Sequence, residues 1–381
     1  MLQFCPALMD WLLFLVSFVV LYGAGARGFT PAQWTWLGTI VQLAYLVSAL
    51  FTGHWLKPGS TRALLLVSTL LAICTFVAAL WFQGYVALLI LSAIIGVLAA
   101  IFFTAFQTFM RLVSPPGQLP RVVGFYTLSW SCGAGLGFLS AGGLYRWGPW
   151  ALSALVLLVG GAMLVILWRT HPAPADHPRP AEIPAVGLTP VEPVVGECYV
   201  RIGWLLIFVA VFALRPVQNY LPPLGAQAGR SPLLTTLPLF LQITAQGLAG
   251  WIIQWRPQWL YQRQPILRLQ WLAAAIFLIL AFAPPWTALL GLPLIGVWSG
   301  CAYYWAVYYS SSAGRRAWNL GVNEFLVGGG ALVGLFVVGF LLAHAARPET
   351  TLYLSAAVSL LVTSLGVMSL VPRAKTNNEN V

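Results

Sequence analysis

Of the 381 residues, 60% are hydrophobic and 7% charged, with a formal net charge of +11. Soluble domains carry about 25% charged residues, so this chain cannot cover a water-facing surface, and its main solvent must be lipid. The basic excess would suit a phosphate backbone, but Lys and Arg fall in short gaps between apolar runs, which argues against nucleic acid. Five scattered cysteines (Cys5, Cys74, Cys132, Cys198, Cys301) form no CxxC or Cys/His cluster, so neither a metal nor a disulfide framework is expected. No GxxxxGKS loop offers ATP hydrolysis. No cofactor is expected.

A bilayer core of about 30 Å needs about 20 apolar residues in a helix, and backbone groups in lipid must be satisfied within the segment. Such runs lie near 7–25, 33–55, 62–83, 86–111, 121–144 and 148–168, then 201–221, 233–255, 266–283, 286–309, 317–344 and 351–371. No Lys or Arg precedes the first run, so it reads as a span rather than a cleavable signal peptide. The gap at 169–200 is different. It holds Pro172, Pro174, Pro178, Pro180, Pro184, Pro190 and Pro193, together with Asp176, Glu182, Glu192 and Glu197. Such a stretch buries little apolar surface and reads as an extended linker. The expectation is an all-α membrane protein of about twelve spans, with a six-helix bundle at 1–168, the linker at 169–200 and a second bundle at 201–381.

Basic residues set the orientation. One set of loops and the tail holds fourteen of the 19: Lys57, Arg62, Arg111, Arg121, Arg169, Arg179, Arg201, Arg256, Arg263, Arg268, Arg315, Arg316, Arg373 and Lys375. The alternate loops hold Arg27, Arg146, Arg230 and Arg347, and Arg215 falls inside a span. This bias predicts an inner-membrane protein with linker and both termini in the cytoplasm.

Six spans on each side of a linker suggest a duplicated unit. Trp11-Leu12-Leu13 opens the first span and Trp204-Leu205-Leu206 the seventh, with Val16 and Val209 following at the same spacing. Gly124, Gly133, Gly137 and Gly142 in span five match Gly321, Gly330, Gly334 and Gly339 in span eleven at one constant offset, and Gly96 matches Gly296. These glycines suit close helix packing. They also suit helices that rock or bend, and the two readings are compatible.

Two six-helix halves, a long linker and cytoplasmic termini resemble the major facilitator superfamily. Gly124, Gly133, Gly137-Phe138 and Ala141-Gly142 resemble its span-five antiporter motif, with one proline and one glycine replaced. The loop after span two has Gly53, Lys57, Pro58, Gly59 and Arg62, but lacks the family's acidic residue. Span four has Ser92 four residues before Gly96, where proton-coupled drug antiporters carry Arg. Asn323-Glu324 before the glycine series resembles poorly characterised prokaryotic facilitators. The resemblance implies a secondary transporter that moves a small organic solute by alternating access at a midplane site.

Ionisable groups inside lipid are costly and mark candidate sites. Glu324 lies eight residues past Arg316, about 12 Å along its helix. It could carry a coupling proton, or form a static gate pair with Arg111, Arg121 or Arg315; Arg316 belongs to the same candidate gate. Arg215 lies about 21 Å past Arg201, beside Pro216, and could snorkel to headgroups or bind an anion. Asp10 opens span one near the cytoplasmic face, where it could complement the helix dipole or take part in coupling. Gln42, Gln107, Gln218, Asn219, Gln242, Gln246 and Asn323 could line the central path. Tyr303 and Tyr304 suit a binding pocket, while Tyr308 and Tyr309 suit an interfacial belt. The expected partners are a small-molecule substrate, lipid and a coupling proton, with the chain acting as a monomer. A membrane enzyme would need a catalytic constellation in a sizeable loop, and the longest loop has none. A non-transporting sensor or assembly subunit on a transporter fold is the other alternative.

Overall fold

The computed structural model describes residues 4–56, 60–113, 119–170, 193–312 and 316–370. Most of the predicted linker and the loop at 57–59 lie outside them. The described residues form twelve long helices. The first half has α1 (Cys5–Ala26), α2 (Pro31–Trp55), α3 (Thr61–Trp81), α4 (Tyr85–Val113), α5 (Leu119–Leu144) and α6 (Gly148–Arg169). The second has α7 (Pro193–Gln227), α8 (Pro232–Ile252), α9 (Arg263–Phe282), α10 (Ala288–Ser312), α11 (Arg316–Ala343) and α12 (Pro348–Leu370). Every predicted span falls within or within three residues of one of these helices. The largest departure is α7, which begins eight residues before its predicted start and absorbs the end of the predicted linker.

Local chemistry sets the helix ends. Proline stands at the first helical position of α2, α7, α8 and α12, where its missing N–H has no intrahelical role and its fixed φ suits the helix. Thr30 and Ser231 cap α2 and α8 by accepting from the backbone N–H of Gln33 and Leu234. Gly28 and Gly229 end α1 and α7 with φ of +76° and +69°, a left-handed geometry that glycine adopts without Cβ strain. In both turns the next residue donates back into the helix, Phe29 to Ala24 and Arg230 to Gly225. Each member of the second turn stands 201 positions after its counterpart in the first.

Packing repeats between the halves. In the first, α1 lies on α5, α2 on α4 and α3 on α6; in the second, α7 lies on α11, α8 on α10 and α9 on α12. The halves join along α5–α8, α2–α11 and α1–α7. On the outside, Val67, Leu70, Leu157, Leu158, Ile279, Val362 and Leu365 of α3, α6, α9 and α12 are exposed. Trp36, Trp81, Trp147, Trp150, Trp168, Trp286 and Trp318 are exposed near helix ends. An apolar belt edged by tryptophan matches a bilayer and its two interfaces, so the chain is a multi-pass membrane protein.

The glycines show how close the repeat is. A Cβ on Gly133 would strike the Ala7 carbonyl, and one on Gly137 would stand 2.6 Å from the Trp11 carbonyl oxygen. In the second half, a Cβ on Gly330 would lie 2.7 Å from the Phe208 oxygen and one on Gly334 2.6 Å from the Phe212 oxygen. Gly142 and Gly339 face the Thr236 and Thr35 hydroxyls across the two seams between halves. Gly96 and Gly296 face the Val41 and Gln242 carbonyls. Two expectations need correction. Gly321 has open space at its Cα among the described residues, so it does not serve close helix packing, whereas a Cβ on Gly124 would lie 3.3 Å from the Gln254 side chain. The Trp11 and Trp204 match, 193 positions apart, is not the structural repeat: Phe208 and Phe212 stand 201 positions after Ala7 and Trp11, which displaces the true register by about two helical turns.

Candidate functional site

A cavity of about 200 Å³ lies between the halves, lined by α1, α2, α4 and α5 from one and α7, α10 and α11 from the other. The first half contributes a mostly apolar wall that includes Phe14, Phe18, Val41, Ile95 and Phe138. Polar groups converge on this wall. Asp10, Gln42, Arg215, Gln218, Asn219, Tyr303, Asn323 and Glu324 all line the cavity, although they come from five helices and are widely spaced in sequence.

Asp10 is not at the surface as expected. It is 6% exposed, sits within electrostatic range of Arg215 and lines the cavity. Counting from the helix start placed it near the interface, but the cavity reaches that turn of α1. Arg215 does not snorkel to the headgroups. Its guanidinium lies over the Phe14 ring, 5.2 Å from the centroid, and its Nη1 donates to Gln218 Oε1 at 3.4 Å. Pro216 follows it and α7 continues unbroken. Tyr45 and Tyr303 also line the cavity, each within electrostatic range of both Arg215 and Glu324.

Asn219 and Asn323 each have a buried amide atom, Nδ2 and Oδ1 respectively, without a hydrogen-bond partner among the described residues. Buried polar atoms are ordinarily paired, so one unpaired donor and one unpaired acceptor beside a cavity suit a polar ligand. Asn219 crosses between the halves to cover the bare Cα of Gly38, where a Cβ would come within 2.6 Å of its Nδ2.

Other expected positions move. Gln242 and Gln246 do not line the cavity; they lie behind it between α8, α5 and α10, each 1% exposed. Their amides satisfy each other and their neighbours there, which is how uncharged polar groups persist in an apolar interior. Tyr304 also stands off the wall, stacked on Tyr308 with centroids 5.9 Å apart. Tyr308 and Tyr309 are fully buried rather than interfacial; they pack with Tyr261, and Tyr309 also with Tyr199. Tyr308 and Tyr309 are near a helix end, but the turn carrying Tyr261 folds over it. The side chains of Gln107, Arg111, Arg121 and Arg316 lie outside what the structure describes, as does Arg315. Sequence reasoning missed Tyr45, Tyr126 and Trp130 as lining residues; apolar periodicity carries no signal separating such aromatics from core.

At the end bearing the α1–α2 and α7–α8 turns the halves are held together. Tyr22 Oη donates to the Arg230 carbonyl at 2.6 Å, and Tyr220 Oη donates to the Leu335 carbonyl at 2.6 Å and lies 3.1 Å from Thr35 Oγ1. A Cβ on Gly25 would be 2.5 Å from the Pro223 backbone. Arg230 also pairs with Glu349 of α12 at 2.5 Å.

Two pseudo-equivalent helical bundles around a polar cavity inside an apolar belt define a membrane carrier of the alternating-access type. The family model of the Major Facilitator Superfamily matches residues 1–318, and the chain belongs to that family of secondary transporters. Among solved structures it is similar to the nucleoside transporter NupG, with a TM-score of 0.67 at 13% identity over 97% of this chain and 98% of that one. A NupG variant gives 0.66 at 12%, covering 98% and 100%. The human organic anion transporter MFSD10 gives 0.63 at 15%, covering 96% and 98%. At such identities the likeness is one of fold. No curated protein sequence matches the chain.

Proposed function

We propose that this transporter carries a small organic solute with an anionic group, bound in the central cavity through Arg215, Gln218, Asn219, Gln42, Tyr303 and Asn323. The observation that carries the reading is the convergence of one guanidinium, Arg215, with Asp10 and Glu324 on a cavity walled by both halves. A guanidinium binds carboxylate or phosphate through paired N–H donors. The aromatic wall around Phe14 suits an apolar solute body. Of the solutes named for the structural relatives, an organic anion suits a guanidinium better than a nucleoside does. The proton is the coupling ion in this reading, carried by Glu324, with Arg111 and Arg316 at the cytoplasmic gate. The protein works as a monomer in the inner membrane, with linker and termini in the cytoplasm.

The test is flux in vesicles reconstituted with the purified protein, using labelled aromatic carboxylates and their uncharged amides, with and without an imposed proton gradient. Carboxylate flux that follows the gradient and disappears in Arg215→Ala is the expected result. Equal flux of acid and amide overturns the anion assignment. Cysteine labelling of residues introduced at 171–192 tests the orientation, and reaction from the periplasmic side reverses it.

A further inference from the structure

Behind the cavity, a chain of hydrogen bonds runs from Arg215 into the seam between the halves. Arg215 Nη1 donates to Gln218 Oε1 at 3.4 Å. Gln218 Nε2 donates to Gln242 Oε1 at 3.0 Å, and Gln242 Nε2 to Gln246 Oε1 at 3.3 Å. Gln246 Nε2 then donates to Ser131 Oγ at 3.3 Å, and Ser299 Oγ lies 2.9 Å from Gln246 Oε1 as a second donor. The sense of the chain is forced by its first member. A guanidinium only donates, so Gln218 must turn its oxygen to Arg215 and has only its NH₂ left for Gln242. The same choice passes to Gln246 and ends on a hydroxyl. Every amide therefore points its negative end toward the cation.

The last bond leaves the half it began in. Arg215 through Gln246 belong to α7 and α8, whereas Ser131 belongs to α5. The join is tight, because a Cβ on Gly247 would lie 2.8 Å from Ser131 Cβ and one on Gly250 2.6 Å from Thr127 Cγ2. The equivalent positions in the first half are Val41 for Gln242 and Tyr45 for Gln246, in the register of the α2–α8 repeat. The chain is thus specific to the second half and is not required by the scaffold.

We infer that Gln242 and Gln246 are positioning residues of the substrate site: their one-way amide chain aims the Arg215 guanidinium at the cavity and ties it to the α5–α8 seam. This rests on Arg215 as the anion-binding group. An anion that draws Nη1 away from Gln218 removes the donor that sets the chain's sense, so occupancy of the cavity reaches the contact between halves.

The experiment compares Gln242→Met, which keeps shape but neither accepts nor donates usefully, with Gln242→Glu. Burial keeps that introduced carboxyl neutral, and a neutral carboxyl accepts with its carbonyl and donates with its hydroxyl in the original sense. Two readouts are taken on the purified full chain. The first is the rate of phenylglyoxal modification at Arg215, with Arg256 as internal reference. The second is thermal stabilisation by benzoate against benzamide, converted to an apparent Kd. Gln242→Met should raise Arg215 modification and weaken benzoate about three- to tenfold, the worth of one or two hydrogen bonds, and Gln242→Glu should restore both. Modification unchanged in Gln242→Met, or equally altered in both variants, overturns the chain whatever benzoate does. Modification that changes as expected, while benzoate and benzamide act alike on the wild type, overturns the anion assignment and leaves the positioning role standing.

Discussion

The two halves share a skeleton and differ in chemistry. Gly137 and Gly334 meet the carbonyls of Trp11 and Phe212 in the same way, and the turns at Gly28 and Gly229 close with the same hydrogen bonds. At equivalent positions the side chains part. Phe14 answers to Arg215, Val41 to Gln242 and Tyr45 to Gln246, each 201 positions apart. The first half therefore supplies an apolar and aromatic wall, and the second supplies the cation with its amide support. Constraint acts on these positions differently. At the α1–α5 and α7–α11 crossings, where backbone touches backbone, both copies keep glycine, while a position on or behind the cavity wall is free to diverge toward the solute.

The largest effect expected is on the shared skeleton. Gly137→Leu and Gly334→Leu each place a branched side chain against a backbone carbonyl, and overpacking in a rigid core costs up to about 3 kcal/mol or more. Both variants should lose most monodisperse protein on size exclusion after membrane extraction, whereas Gly321→Leu, with open space at its Cα, should not. Normal yield from either of the first two would deny that the repeat is held by these contacts.

Next come the charges that distinguish the halves. Arg215→Ala should remove carboxylate flux, and Arg215→Lys should retain part of it, because charge survives while the planar fork is lost. Glu324→Gln should abolish gradient-driven accumulation yet leave exchange of solute intact, since it fixes the shape of the protonated form. Asp10→Asn sharpens the assignment, because Asp10 shares the cavity and lies near Arg215. Persistence of accumulation in Glu324→Gln, with loss in Asp10→Asn, would move the proton to α1.

The smallest effect belongs to the seam at the Gly28 and Gly229 end. Tyr22→Phe removes one hydrogen bond to the Arg230 carbonyl, worth about 1 kcal/mol. It should raise labelling of a cysteine introduced at Ser17 from that side severalfold while leaving yield unchanged. Unaltered labelling would show that Gly25 against Pro223 suffices to hold the halves together.

The spans were legible because apolar length is a one-dimensional property, and twelve helices appear where the hydropathy places them. The α5–α11 glycine register was legible for the same reason that it is constrained: a missing side chain shows in the sequence. The α1–α7 register was not found from Trp-Leu-Leu, since that motif faces no conserved partner geometry. The better signal was Gly28, Thr30 and Pro31 against Gly229, Ser231 and Pro232, whose φ, cap and fixed helix start each demand a residue type. For the site, an intramembrane charge found Arg215 and Glu324, but depth counted from a helix end misplaced Asp10. Which face a glutamine presents depends on helix rotation, so the sequence could not separate Gln42 and Gln218 on the wall from Gln242 and Gln246 behind it.

Pro216 has a mechanical consequence. A proline supplies no N–H, so the carbonyl four residues earlier, that of Phe212, loses its partner within the helix, and Pro222 and Pro223 do the same to Gln218 and Asn219. The helix is about 52 Å long at 1.5 Å per residue, stiff along its first turns and compliant from Phe212 onward. The Phe212 oxygen at the start of that compliant stretch is the one seated against Gly334. The easiest place to flex α7 is thus clamped to α11, and a load that bends the Arg215 segment is delivered to the rod that carries Asn323 and Glu324. The proposed solute-binding cation and the proposed proton-carrying acid are joined by a stiff neighbour at a soft joint, a transmission that needs no direct contact between them.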